Sequence, residues 1–198
     1  MEIKLDSKFS VNGLYVQGSL HLRRGLNVLC GNNGIGKSTL FHYIKNNKKD
    51  FFPSHRLSFM DQFPLEPLSE LRVKDIFNIL EEDISYFDTE KLNSMIEKFD
   101  FTPLLERSVQ LLSGGENQIL KFILASSQKV EYYFLDEPLQ YLDGKNLLLI
   151  LDQIKELSDS ATVILIEHRK EHLLKLEANW IQMTKNKEVI MIGDQDGI

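Results

Sequence analysis

Eight consecutive residues, Gly31-Asn32-Asn33-Gly34-Ile35-Gly36-Lys37-Ser38, have the types and spacing needed to hold phosphate. Glycines on either side of a four-residue gap let a loop curl until its backbone N–H groups converge on an anion. The lysine can reach terminal phosphates, and the serine hydroxyl can ligate Mg²⁺. The surroundings suit that chemistry. Leu26 to Cys30 reads as a short buried strand and Lys37 to Ile44 carries helical apolar spacing, so the loop N–H groups meet the positive end of a helix.

A second apolar run, Tyr132 to Leu135, ends in Asp136-Glu137-Pro138. It delivers two carboxylates to the carboxyl end of a strand, where open α/β sheets place their ligands. Asp136 can hold Mg²⁺ through water. Glu137 projects differently and can accept a proton from an attacking water, while Pro138 stops the strand.

The elements that position these groups are legible around them. Residues 1–22 alternate apolar and polar types with Asn12-Gly13 as a turn signal, which predicts antiparallel strands. After Arg56 to Asp61 come two amphipathic helical patterns, one with Val73, Ile76, Phe77 and Leu80, the other with Leu92, Met95, Ile96 and Phe99, capped by Asp88. A helix near Gly114, the strand at Tyr132, a helix from Lys145 to Leu157 and an apolar strand from Thr162 to Ile166 complete the order. Continuously apolar strands alternating with helices predict a parallel α/β sheet.

Composition sets the bounds. The chain has 198 residues, 42% hydrophobic and 26% charged, which suits one globular domain and excludes bulk disorder. Cys30 has no second cysteine to pair with, and the first residues carry no apolar leader, so a reducing cytosol is the expected compartment. The longest apolar runs, such as Leu147 to Leu151, fall far short of the roughly 20 residues of a membrane span. A net charge of −6 gives no general attraction to polyanions, so no nucleic-acid partner is expected.

Leu112-Ser113-Gly114-Gly115-Glu116-Asn117-Gln118 resembles the signature segment of ATP-binding-cassette (ABC) ATPases. Leu142-Asp143 is similar to the D-loop of that family, His168 to its switch histidine and Gln62 to its Q-loop glutamine. With the glycine loop and the Asp136-Glu137 strand, the motifs run in the family's order over roughly residues 25 to 170. Two departures stand out: Ile119 where an arginine usually follows, and a short stretch between Lys37 and Gln62.

The resemblance implies a P-loop NTPase with a RecA-like parallel sheet core, an N-terminal antiparallel β-layer and an inserted α-helical subdomain at roughly 69–127 of one domain spanning 1–198. It implies ATP and Mg²⁺ as cofactors. Gly31, Asn32, Asn33, Gly34, Ile35, Gly36, Lys37, Ser38 and Thr39 would surround the phosphates, and Ser38, Asp136 and Gln62 would face the metal. Glu137 would be the base, His168 would hold the γ-phosphate, and Gln62 would sense it. Phe9, with Tyr15 as the alternative, would stack on adenine. Ser113, Gly114, Gly115 and Asp143 would serve a second cassette, the same chain or a paralogue, paired head to tail.

The resemblance further implies separate membrane-spanning transporter subunits, with this chain cytoplasmic and peripheral at the inner face of the cell membrane. Apolar residues Phe63, Leu65 and Leu68 form a candidate docking groove for such a subunit. Two other readings compete. A soluble mechanical ABC ATPase would need no membrane partner. His168-x-x-Glu171-His172 matches a zinc-hydrolase pattern in which two histidines share one helical face.

Overall fold

The computed structural model describes residues 2–5, 10–11, 14–15, 17–61, 65–83, 85–142, 144–168, 170–184 and 188–193. The chain begins with β1 (Glu2–Leu5), β2 (Ser10–Val11), β3 (Leu14–Tyr15), β4 (Gln17–His21) and β5 (Gly25–Cys30). Helices α1 (Lys37–Asn46) and α2 (Lys48–Phe51) lead to β6 (Leu57–Met60). A helical stretch follows, with α3 (Val73–Glu81), α4 (Thr89–Lys98) and α5 (Gly114–Ser126). Then come β7 (Tyr132–Asp136), α6 (Gly144–Ser160), β8 (Thr162–Ile166), α7 (Lys170–Leu173), β9 (Asn179–Met183) and β10 (Glu188–Gly193).

The described residues build an eight-stranded sheet in the order β1-β4-β10-β9-β5-β8-β7-β6. From β9 to β6 every neighbouring pair is parallel. The central strands are buried on both faces, and their side chains alternate between two cores. Val28, Leu135, Val163 and Leu165 belong to the larger core, while Leu29, Phe134, Ile164 and Ile166 belong to the smaller. That is the period-two consequence of strand geometry with both sides covered. Helix α1 sends Leu40, Phe41 and Ile44 into the smaller core, and α3 to α6 cover the opposite face.

The expected antiparallel strands are present, as the pairs β1–β4 and β2–β3. The first pair extends the main sheet, because β10 joins β4 in parallel and β9 in antiparallel register. Strands β9 and β10 were not expected from sequence. They follow a helix of only four residues, too short to set a helical period against which the strands stand out. Helix α6 runs one residue earlier and three later than its apolar spacing predicts.

Leu65 and Leu68 are half-buried, packing against the larger core while each keeps part of its surface exposed. Phe63 lies outside the described residues. No helix among the described residues is long and apolar enough to cross a membrane.

Candidate active site

Strand β5 ends at Cys30, whose Sγ lies 3.4 Å from the Ile181 carbonyl, and the chain turns at Gly31. Gly31 has φ 149, and a Cβ there would stand 2.6 Å from the Met183 carbonyl at the end of β9. The glycine therefore admits the neighbouring strand as well as the loop's curl. Gly36 caps α1 with φ 111, and no side chain among the described residues caps that end. The first-turn N–H groups are thus aimed at the loop's concavity. Lys37, only 4% exposed, donates from Nζ to the carbonyls of Gly31 at 2.9 Å and Asn32 at 3.1 Å, which fixes its charge over the loop.

The loop and the first turn of α1 form one wall of a cavity of about 310 Å³, and Glu137 and His168 form the other. Ser38 and Thr39 line it as well. His168 Nε2 lies 2.7 Å from Glu137 Oε1. Two larger clefts, of about 610 and 430 Å³, open beside the N-terminal ends of β5, β7 and β8, away from these groups.

Glu137 is held at every backbone group. Its N–H donates to the Ile166 carbonyl at 2.8 Å, and its own carbonyl accepts from Gln118 Nε2 at 2.6 Å and from the Gln140 N–H at 3.1 Å. The residue has φ 49. A left-handed conformation costs a non-glycine residue about 1–3 kcal/mol and persists only where the surroundings over-determine it. Tyr141, four residues on, is also left-handed at φ 61.

Asp136 is 3% exposed, and its Oδ1 has no hydrogen-bond partner among the described residues. Burial pushes its carboxyl up to about 7; the Ser38 hydroxyl and Lys37 oppose that rise, and the negative charges of Glu137 and Asp61 add to it. An orphaned carboxylate oxygen, beside a serine hydroxyl and next to a phosphate loop, has the donor chemistry and the unmet demand of a divalent-cation ligand. The residues present fit Mg²⁺.

Ser113, Gly114 and Gly115 do not line this cavity. They open α5 through a reciprocal capping box: Ser113 Oγ accepts from the Glu116 N–H at 3.3 Å, and Glu116 Oε2 accepts from the Ser113 N–H at 2.7 Å. That second bond holds the Glu116 carboxyl below its ordinary range. Phe9, Gln62 and Asp143 lie outside the described residues, and for Tyr15 only the backbone is described.

The zinc pattern does not assemble. Helix α7 begins at Lys170, so His168 is off the helix that carries His172, and no group of three possible metal ligands is gathered among the described residues. Three residues take a part in the site that no sequence pattern assigns them. Gln118 sits on the buried stripe of α5 with Phe122 and Ala125, a spacing that could have pointed it inward. Glu167, 4% exposed, accepts from the His168 N–H at 2.7 Å and the Leu139 N–H at 3.3 Å. Asp61 pairs with Lys45 across from α1, a contact no local pattern announces.

Residues 17–140 match the family model described as ABC transporter, which is more than half of the chain. The chain belongs to the ABC transporter family, as one of its ATP-binding cassettes. Elongation factor 3 of Phytophthora infestans is 31% identical over 180 residues, covering 88% of this chain and 17% of that protein. The uncharacterised ABC transporter ATP-binding protein YhaQ of Bacillus subtilis is 28% identical over 178 residues, covering 82% of this chain and 60% of that one. The cassette thus spans less than two thirds of either relative. A solved structure titled as the ATP binding subunit of an ABC transporter superposes with a TM-score of 0.78 at 14% identity, covering 96% of this chain and 89% of that one, which establishes the fold.

Proposed function

We propose that this chain binds MgATP at the Lys37 loop, pairs head to tail with a second cassette, hydrolyses the nucleotide and thereby drives separate membrane-spanning subunits of a transporter. The observation that carries the reading is the 2.7 Å contact of His168 with Glu137 on the wall facing Lys37 and Ser38. A carboxylate held there is placed to take the proton of a water attacking the terminal phosphate. Lys37 and the loop N–H groups bind and orient the phosphates, since phosphoryl transfer asks mainly for positioning and charge neutralisation. Ser38 and Asp136 would hold Mg²⁺, which when bound neutralises phosphate charge. His168 orients Glu137 and is within the same cavity as the phosphate end of the nucleotide.

In this reading Ser113, Gly114 and Gly115 present the positive end of α5 to the partner's nucleotide, Asp143 serves the same second cassette, and Phe9 or Tyr15 stacks on the adenine. The stretch from roughly 69 to 127 acts as the helical subdomain of the single cassette, and Gln62 links it to the γ-phosphate. The chain works in the cytoplasm at the inner face of the membrane. A second reading, a soluble mechanical ATPase, is favoured by the similarity to Elongation factor 3.

Glu137→Gln tests the site. Hydrolysis should fall by about 10² to 10⁴, or roughly 3–5 kcal/mol of barrier, while ATP binding survives and ATP-bound pairs accumulate on a sizing column. Unchanged turnover with binding intact removes Glu137 as the base. Co-purification with a membrane-embedded subunit that stimulates hydrolysis supports transport, and its absence alongside ribosome sedimentation supports the second reading.

A further inference from the structure

Gln118 is a buried polar residue that the proposed reaction does not use. It projects from the second turn of α5, the helix whose first turn is the signature segment, and its Nε2 reaches the backbone carbonyl of Glu137 at 2.6 Å. The same helix also approaches the same turn closely at its glycines. The ring of Tyr141 lies where a Cβ on Gly114 would meet it at 3.6 Å, and the Tyr141 carbonyl stands 3.2 Å from where a Cβ on Gly115 would be. The turn from Glu137 to Tyr141 therefore has left-handed backbone at both ends and is seated on α5 at both ends.

We propose that Gln118 is a positioning residue for Glu137: through its amide, the signature helix sets the backbone, and so the carboxylate, of the base in its own chain. The proposal rests on the reading of Glu137 as the base and of the signature segment as serving the partner's nucleotide. Under that reading two successive turns of α5 act on different nucleotides. Its first turn meets the partner's ATP, and its second turn holds the base that takes the proton of the water attacking its own. A shift of α5 on closure is carried to the Glu137 backbone through the 2.6 Å bond from Gln118 to its carbonyl. His168 grips the carboxylate from the other side; without the Gln118 amide the Glu137 carbonyl is held by the Gln140 N–H alone, and the carboxylate can shift about the His168 contact.

The test is Gln118→Met, which keeps length and volume and removes only the amide. The Glu137 carbonyl keeps its bond from the Gln140 N–H at 3.1 Å, so no acceptor is orphaned and the fold is retained. Should Gln118→Met lose its native ellipticity, Gln118→Asn, one methylene shorter and out of reach, carries the same comparison. Nucleotide affinity of the isolated chain should stay within twofold, and kcat at saturating MgATP should fall at least tenfold, about 1.4 kcal/mol of barrier. In a Glu137→Gln background the Gln118 substitution should change the residual rate less than twofold, because a positioning residue has nothing left to position. A kcat within twofold of the parent, or a loss repeated in full in the Glu137→Gln background, overturns the proposal. If the parent chain itself shows no Mg²⁺-dependent hydrolysis, the reading of the whole site fails; if the parent is active and Gln118→Met matches it, only this inference fails.

Discussion

The buried carboxyl of Asp136 makes a stability prediction whose sign is fixed by its surroundings. Burial raises its pKa from 3.8 to about 7. Between those values the folded chain keeps a proton that the unfolded chain has released, so stability falls as pH climbs through the window and levels off above about 7. Integrated at about 1.36 kcal/mol per pH unit, the fall is about 4 kcal/mol. Asp136→Asn keeps the shape and an oxygen for the Ser38 hydroxyl and has no proton to lose. With EDTA present, the variant should match the parent near pH 4 and become more stable by up to about 4 kcal/mol at pH 8. At about 2–4 °C per kcal/mol for a domain of this size, the melting temperatures should separate by on the order of 10 °C. Adding MgATP should reverse the ranking, since the parent gains a bound ligand and the variant loses a metal ligand. Thermal unfolding followed by circular dichroism from pH 4 to 8.5 reads both effects. A gap between the two proteins that stays constant across that range would refute the assignment of an uncompensated buried carboxylate.

In the proposed site Lys37→Ala would remove charge-assisted bonds to phosphate worth about 3 kcal/mol, so affinity for a fluorescent ATP analogue should drop on the order of 100-fold; a change under threefold contradicts the proposed role. Ser113→Ala deletes one half of the capping box and should cost about 1 kcal/mol, lowering the melting temperature by about 2–4 °C; an unchanged value would mean that water replaces the bond at no cost.

Local chemistry made much of this protein legible in its sequence. The glycine spacing before Lys37, the apolar strand ending in Asp136-Glu137 and the helical period of α3 and α4 each depend on neighbours within a few residues, and backbone preference acts over that range. The parallel core followed from apolar strands alternating with helices. The strands after α7 did not, since the four-residue helix before them sets no helical period against which they stand out. Nor could spacing say that Gly31 is demanded by Met183, that Asp61 meets Lys45, or that Gln118 and Glu167 converge on the turn after β7. The residue types able to cradle phosphate, hold a metal and take a proton were fixed by sequence. The folded sheet alone decided which polar groups were buried together, because hydrogen-bond partners and desolvation arise only when distant segments exclude water from one another.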